Sequence, residues 1–307
     1  MTRAQRGARY ACVVLAACSW GTWPLILRRA DAIAPMDPAV TSTIVMGVIT
    51  LVGFAMTLRD RAPGRASVRA WGGMAILGVA DALNILLLFW AYRVTSVAIA
   101  VLTHYLTPIF VAVAAPLVLR ERMTLRTAAA IATSFAGLAL MLAPSVGAGG
   151  SASVWLSAML GAGSAVFYAS NVIVNKFVAA DFSTSETMFW HGVVGTPLLA
   201  AFVPPAAWSA VDPRAAGFLA LATVGPGALA GLAFVWGLRR MPAAHASTLT
   251  LLEPLVSILL GTALLGEWLG MRAVGGGGLI LAGAVVVMSA PAATSASSAR
   301  TPGSPRR

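Results

Sequence analysis

Along its length the chain alternates long apolar runs with short segments that hold most of its Arg, Asp and Pro. A helix rising 1.5 Å per residue needs about 20 apolar residues to cross the hydrocarbon of a bilayer. Ten runs approach that length, at roughly 10–27, 38–58, 71–92, 94–119, 124–142, 153–175, 186–206, 215–237, 243–265 and 271–289. The pattern predicts an all-α membrane protein with ten transmembrane helices and short connections. The segment after Pro291 is Ala, Ser, Thr, Pro and Arg, a composition that cannot bury a core and reads as disordered.

Composition supports the same class. Apolar residues make up 59% of the chain and charged residues 10%, against about 25% charged in a soluble domain. Mean hydropathy is +0.85. A soluble chain of this kind would expose apolar surface that it could not cover, whereas lipid accepts it. The formal net charge of +11 does not point to nucleic acid, because the basic residues sit in short clusters between apolar runs. Cys12 and Cys18 both fall in the first run, which excludes a disulfide framework.

The basic residues orient the chain. With the N-terminus in the cytoplasm, 16 of the 21 basic side chains fall on the cytoplasmic side. The other five are Arg28, Arg29, Arg93, Arg214 and Arg272. The expected location is a bacterial inner membrane, multi-pass, with both termini cytoplasmic. A lipoprotein signal ending at Cys18 is the rival reading of Arg3 to Cys18. The apolar run continues through Trp20 to Leu27, and cleavage would leave half a helix.

The chain also repeats itself. Shifted by 146 residues, Trp90 falls on Trp236, Arg93 on Arg239, Pro108 on Pro254, Glu121 on Glu267, Arg126 on Arg272 and Gly137 on Gly283. Chance apolar similarity explains matched Ala or Leu, not Pro, Glu, Arg and Gly in register. The first helices align at a shift of 148, Trp20 on Tyr168 and Arg28 on Lys176. The expected organisation is a cytoplasmic tail over 1–9, a first repeat over 10–143, a second over 144–290 and a cytoplasmic tail over 291–307. Each repeat has five spans, so the second enters the membrane in the opposite sense. A 5+5 inverted repeat places a site near the midplane and permits two mirror-related gating states, the logic of alternating access.

These residues carry a family resemblance. Tyr92 to Met141, with Pro108, Leu119-Arg120-Glu121-Arg122 and Gly137, resembles the second half of an EamA domain. Leu238 to Met288, with Glu253-Pro254, Leu265-Gly266-Glu267 and Gly283, resembles a second copy, and Trp20-Gly21 fits the same pattern. The resemblance implies the drug/metabolite transporter (DMT) superfamily. It implies ten helices in a 5+5 inverted repeat around a central cavity. It further implies carriage of amino acids, other metabolites, nucleobases or toxic compounds, often outward. Asp81, His104 and His191 lie outside the family pattern, so the resemblance does not name a substrate.

The candidate site residues are polar groups near the middle of apolar runs. Glu253 would cost about 2.5–3.5 kcal/mol to insert there. It is therefore expected to face a cavity as a substrate or proton ligand, or else to be a structural acid bonded within the bundle. Thr250 and Ser257 lie one turn to either side of it, and Pro254 frees a carbonyl beside it. Asp81, with Asn84 one turn on, poses the same choice. Its repeat partner is Gly227, so the fold symmetry does not demand the acid. His104 and Tyr105 precede Pro108 by one turn. His104 and His191 could relay protons or simply satisfy hydrogen bonds.

Ser164, Tyr168, Asn171 and Asn175 share one helical face, directed at a cavity or at another helix. Trp20 and Trp23 are candidate cavity walls, suited with the nearby acids to an ammonium group. Trp90 and Trp236 lie near span ends and suit interfacial anchoring. Glu121 and Glu267 lie just past span ends among Arg residues and read as structural groups that cap or pair at the interface. The Gly227–Gly231 and Gly275–Gly278 stretches serve helix packing within the chain or a contact between two copies.

No Gly-Lys-Ser phosphate loop, metal-ligand spacing or serine-nucleophile motif is present in the sequence. The leading expectation is a secondary transporter, not an enzyme and with no cofactor. It moves a small polar metabolite such as an amino acid or amine, outward, in partnership with protons and the bilayer. The rivals are a membrane-embedded enzyme acting on a lipid-linked substrate through Asp81, His104, His191 and Glu253, and a nucleotide-sugar-type carrier. No basic residue at mid-span meets a phosphate, which counts against the latter.

Overall fold

A computed structural model describes residues 3–62, 64, 66–94, 97–143, 152–265 and 270–289. The expectations for Glu267, for Gly266 and for the tail over 291–307 lie outside the described residues. Among the described residues there is no strand.

The first half begins with α1 (Arg3–Trp20) and α2 (Trp23–Ile33), which form one span broken at Gly21-Thr22. Next come α3 (Pro38–Thr57) and α4 (Val68–Val94). The fourth span is split into α5 (Val97–His104) and α6 (Thr107–Val118), and α7 (Leu125–Leu142) closes the half. The second half opens with α8 (Ala152–Phe177), extended by a 3₁₀ turn over Val178–Ala180, followed by α9 (Thr184–Ala201) and a short connecting α10 (Pro205–Ser209). The eighth span is α11 (Pro213–Thr223), a π-helical turn over Val224–Leu229, and α12 (Ala230–Leu238). The ninth is split into α13 (Ala243–Leu249) and α14 (Leu252–Leu265), and α15 (Met271–Ser289) is the last.

Local chemistry sets the boundaries. Asp37 caps α3 by accepting from the Ala39 amide at 2.8 Å, with Pro38 at the first helical position. Ser183 and Glu186 form a reciprocal capping box on α9. Pro108 and Pro254 sit in the first turns of α6 and α14, and each lacks the amide that would continue the preceding helix. Buried hydroxyls that have no water to bond turn back on their own helices: Thr43 to the Ala39 carbonyl, Thr223 to Leu219, Thr248 to Ala244. Leu51, Phe54, Val113, Leu117, Met159 and Leu221 are exposed, an apolar exterior that suits lipid.

Nine described helices are long and apolar enough to cross a membrane. The remaining predicted run is α9. Its Ser185, Glu186, Thr187, His191 and Thr196 lower its apolarity, yet it packs along α3 and α4. Two sequence boundaries shift. The first span runs on to Ile33, so Arg28, Arg29 and Asp31 stand on the last turns of α2, not in a loop. The seventh span covers 184–201, not 186–206, because Pro204 and Pro205 start a separate turn.

The two halves pack by exchange. The fifth span lies on the tenth and the second on the seventh, while the third–sixth contact is matched by the eighth on the first. Backbone approaches repeat the relation. A side chain at Gly137 would meet the carbonyl of Gly276 at 2.6 Å, and one at Gly283 would meet that of Ala130 at 2.8 Å. These are the same contact displaced by 146 residues in both partners. The closeness is possible only because glycine stands at both places.

Candidate functional site

The broken spans meet in the middle of the bundle. The fourth span breaks at Tyr105-Leu106 and the ninth at Thr250-Leu251, positions related by the same shift of 146 or one residue from it. A break at depth exposes backbone that only a cavity or protein neighbours can satisfy. Beside these breaks lies a cavity of about 160 Å³. Its wall holds Trp20, Trp23, Asp81, Asn84, His104, Tyr168, Asn171, His191 and Glu253, nine of the residues expected from the sequence.

Glu253 stands in the first turn of α14, where the helix dipole favours a carboxylate. Its approach is set by Gly21. A side chain on Gly21 would meet the Glu253 carbonyl and Val256 at 2.8 Å, so the break in the first span lets α14 come close. Aromatic side chains line the same cavity as the acid. Trp20 lies 5.0 Å from Phe234 between ring centres and edge-on to Tyr168 at 6.5 Å. No described side chain forms an ion pair with Glu253.

Asp81 is held very differently. Its Oδ1 accepts from Asn171 Nδ2 at 2.6 Å, and its Oδ2 lies 3.0 Å from His191 Nε2. The other ring nitrogen of His191, Nδ1, faces the Thr187 carbonyl at 2.6 Å. His104 belongs to a third set. Its Nδ1 lies 2.9 Å from Ser164 Oγ, which donates onward to Asn84 Oδ1 at 2.8 Å, and its ring stacks on Tyr168. The predicted face of the sixth span is thus divided: Ser164 serves His104, Asn171 serves Asp81, and Asn175 Nδ2 bonds back to Asn171.

Two of the expected residues stand apart from the other nine. Thr250 and Tyr105 do not line the cavity. Thr250 is fully buried and donates to the Ser247 carbonyl at 2.8 Å, satisfying backbone freed by the break. The Tyr105 hydroxyl is buried next to Glu253, behind the wall. Both positions fall in the turns that interrupt their helices, so helical spacing misplaces them. Sequence reasoning also missed Phe89, Met188 and Phe234 in the wall, since apolar residues in an apolar run carry no signal. Gly227 and Gly231, expected to serve packing, line the cavity as well.

The two ends of the bundle differ. At one end a second cavity of about 280 Å³, bordered by Arg28, Asp31, Tyr92 and Arg93, shares Phe89 with the central one. There Arg93 pairs with Asp31 and donates to the Met36 carbonyl, both at 2.9 Å. At the other end Lys176 bonds Glu121 and the Met241 carbonyl, while Glu121 Oε2 accepts from the Ala243 amide at 2.7 Å. Glu121 therefore pairs with Lys176, not with its Arg neighbours. His245, also missed from sequence, bridges the Tyr10 hydroxyl at 3.0 Å and Thr127 Oγ1 at 3.3 Å. Arg239 donates to the Phe182 carbonyl at 2.8 Å and to Thr187 Oγ1 at 2.5 Å. Burial and the neighbouring Arg240 charge lower its guanidinium to about 10, which leaves it charged at neutral pH.

The sequence profile of the EamA-like transporter family matches the chain twice, over residues 8–143 and 155–289. The chain is 28% identical over 198 residues to an uncharacterized transporter of Archaeoglobus fulgidus, covering 64% of this chain and 68% of that protein. A solved crystal structure overlays 91% of this chain and 96% of its own at a TM-score of 0.70 with 17% identity, a likeness of fold alone.

Proposed function

Because the chain belongs to the EamA-like transporter family, we propose that it is a secondary transporter that carries a small metabolite bearing an amine through the central cavity by alternating access. One observation carries the substrate class. Glu253 faces a cavity walled by Trp20, Tyr168 and Phe234, with no described cation to neutralise it. A carboxylate with aromatic faces beside it attracts an ammonium group by charge and by cation–π contact. The small volume favours amino acids and simple amines over nucleotide sugars. We place the protein in a bacterial inner membrane with both termini cytoplasmic and with export as its direction. The clustering of Arg9, Lys176 and Arg239 near one end supports that orientation.

The test is flux in sealed proteoliposomes of a panel of amino acids, amines and nucleobases, with and without a pH gradient, for wild type and Glu253→Gln. The expected result is transport of a cationic member, reduced roughly 10–100-fold in the variant by loss of a charge-assisted contact. Equal flux in the two proteins would remove Glu253 from the site. Turnover of a lipid-linked substrate in detergent, with no flux in vesicles, would replace transport by catalysis.

A further inference from the structure

The geometry points to a division of labour between the two cavity acids: Asp81 and His191 together form the coupling-proton site, and Glu253 alone meets the substrate. This rests on the transporter reading above.

The Thr187 carbonyl sets the tautomer of His191. A carbonyl oxygen only accepts, so His191 Nδ1, 2.6 Å away, must carry a hydrogen. That fixes the state of the ring. In neutral His191 the remaining nitrogen, Nε2, is a bare lone pair, and it points at Asp81 Oδ2 from 3.0 Å. Two lone pairs cannot face each other at that distance without repulsion, so the link takes up one proton. The proton sits either on Asp81 Oδ2, donated to Nε2, or on Nε2, donated to the carboxylate. Moving between the two breaks an O–H bond and forms an N–H bond, with no net change in charge. Asn171 Nδ2 holds Oδ1 at 2.6 Å and keeps the carboxyl plane aimed at the ring. Both residues line the cavity, so water there can deliver or remove the proton.

The loaded link is neutral and leaves the cavity with the single negative charge of Glu253. Once the proton departs to cavity water, the link carries one negative charge. The cavity then attracts a cation more strongly, and a bound cation in turn opposes return of the proton. Proton and cationic substrate therefore exclude one another, which is the condition for exchange of one against the other. Tyr168 and Asn175 of α8, His104 of α5 and Glu253 of α14 share the cavity with the link, while Arg239 reaches Thr187 one turn along α9. The α3 helix contributes no titratable side chain. His104 has its Nδ1 on Ser164, away from the Asp81–His191 link, and Arg239 is committed to Phe182 and Thr187.

The test uses the full chain labelled with ¹⁵N-histidine in lipid nanodiscs. Replacement of His104 and His245 by Asn assigns the three imidazoles. The expected spectrum shows His191 with hydrogen on Nδ1 at every pH and a strongly hydrogen-bonded proton resonance at Nε2. That resonance is absent in Asp81→Asn and retained in Glu253→Gln. In proteoliposomes, wild type accumulates a cationic panel compound against its gradient when a pH gradient is imposed. Whatever exchange remains in Asp81→Asn is indifferent to that gradient. A wild-type His191 with Nδ1 bare, or a resonance unchanged in Asp81→Asn, overturns the proposal even where a variant folds poorly. Accumulation by Asp81→Asn that follows the pH gradient as wild type does also overturns it. A folded wild type that moves no panel member sinks the transporter reading itself, a failure that the spectrum keeps separate from failure of the proton site.

Discussion

The hydroxyls of Thr50 and Thr196 lie 3.1 Å apart, and the two residues are separated by 146 positions, the interval that lays Pro108 on Pro254. A residue bonded to its own repeat partner marks the axis that exchanges the halves. Here α3 and α9 cross, and Gly192 permits it, since a side chain there would run into Thr50 Oγ1. Thr50 Oγ1 is also 2.7 Å from the Met46 carbonyl, so it donates there and is free to accept from Thr196. A double-mutant cycle of Thr50→Val and Thr196→Val is expected to give a coupling of about 0.6–1.7 kcal/mol, the range for hydroxyl pairs between membrane helices. Unfolding in mixed micelles measures it. Strict additivity would mean that the hydroxyls bond only to their own helices.

Gly21 is a point of close approach behind Glu253. Its missing side chain is where the Glu253 carbonyl and Val256 approach. Gly21→Ala is expected to cost about 1–3 kcal/mol of stability through overpacking. It should also lower flux more than stability alone predicts, because the helix it displaces carries Glu253. Gly7 is the control on the same span, with nothing within 4 Å of an added side chain. Gly7→Ala should be neutral or stabilising by up to about 1 kcal/mol. Thermal unfolding and flux of both variants decide the matter, and similar behaviour of the two would refute the close approach.

Much of this was legible in the sequence, and the reasons are physical. The repeat shows because Pro, Glu and Arg are rare in lipid-facing helices and cannot match by chance in register. The acids show because a charge at depth is costly and so needs a partner or a cavity, and both line one. The Asp81–His191 link was not legible, because its partners are 110 positions apart and on different helices. Thr250 and Tyr105 were misplaced because the helices break under them, and a broken helix does not keep a face. The π-helical turn over Val224–Leu229 left only a Gly-Pro-Gly in the sequence, a cue equally compatible with a plain kink.

Lys176 and Glu121 tie the sixth span to the connection that follows α12. Both side chains are mostly buried, at 14% and 22% exposure. Lys176→Met strips Glu121 of its cation and leaves it only the Ala243 amide. The expected loss is about 3 kcal/mol, since breaking one side of a buried pair strands the other charge. Adding Glu121→Gln should restore part of that loss, because the stranded charge is then gone. Chemical unfolding of the two variants tests it. A double variant less stable than Lys176→Met would show that Glu121 has another partner.

Arg93 and Arg239 are repeat partners, and each donates to the carbonyl of its own half, Met36 and Phe182, which are also 146 apart. Equivalent positions would be expected to matter equally, but their surroundings differ. The Arg93–Asp31 pair is exposed at 41% and 42%, in reach of water and salt. Removing it by Arg93→Met with Asp31→Asn should change stability by less than about 1 kcal/mol. Arg239 is more enclosed and also holds Thr187, whose carbonyl fixes the His191 ring. Arg239→Met should cost about 1.5–3 kcal/mol, the range for hydrogen bonds to a charged group. It should also weaken the response of flux to a pH gradient, because Thr187 then loses the anchor that keeps His191 Nδ1 bonded. Equal stability losses at the two positions would show that the exposed pair is as strong as the enclosed one. An unaltered pH response in Arg239→Met would disconnect this end of the bundle from the proton site.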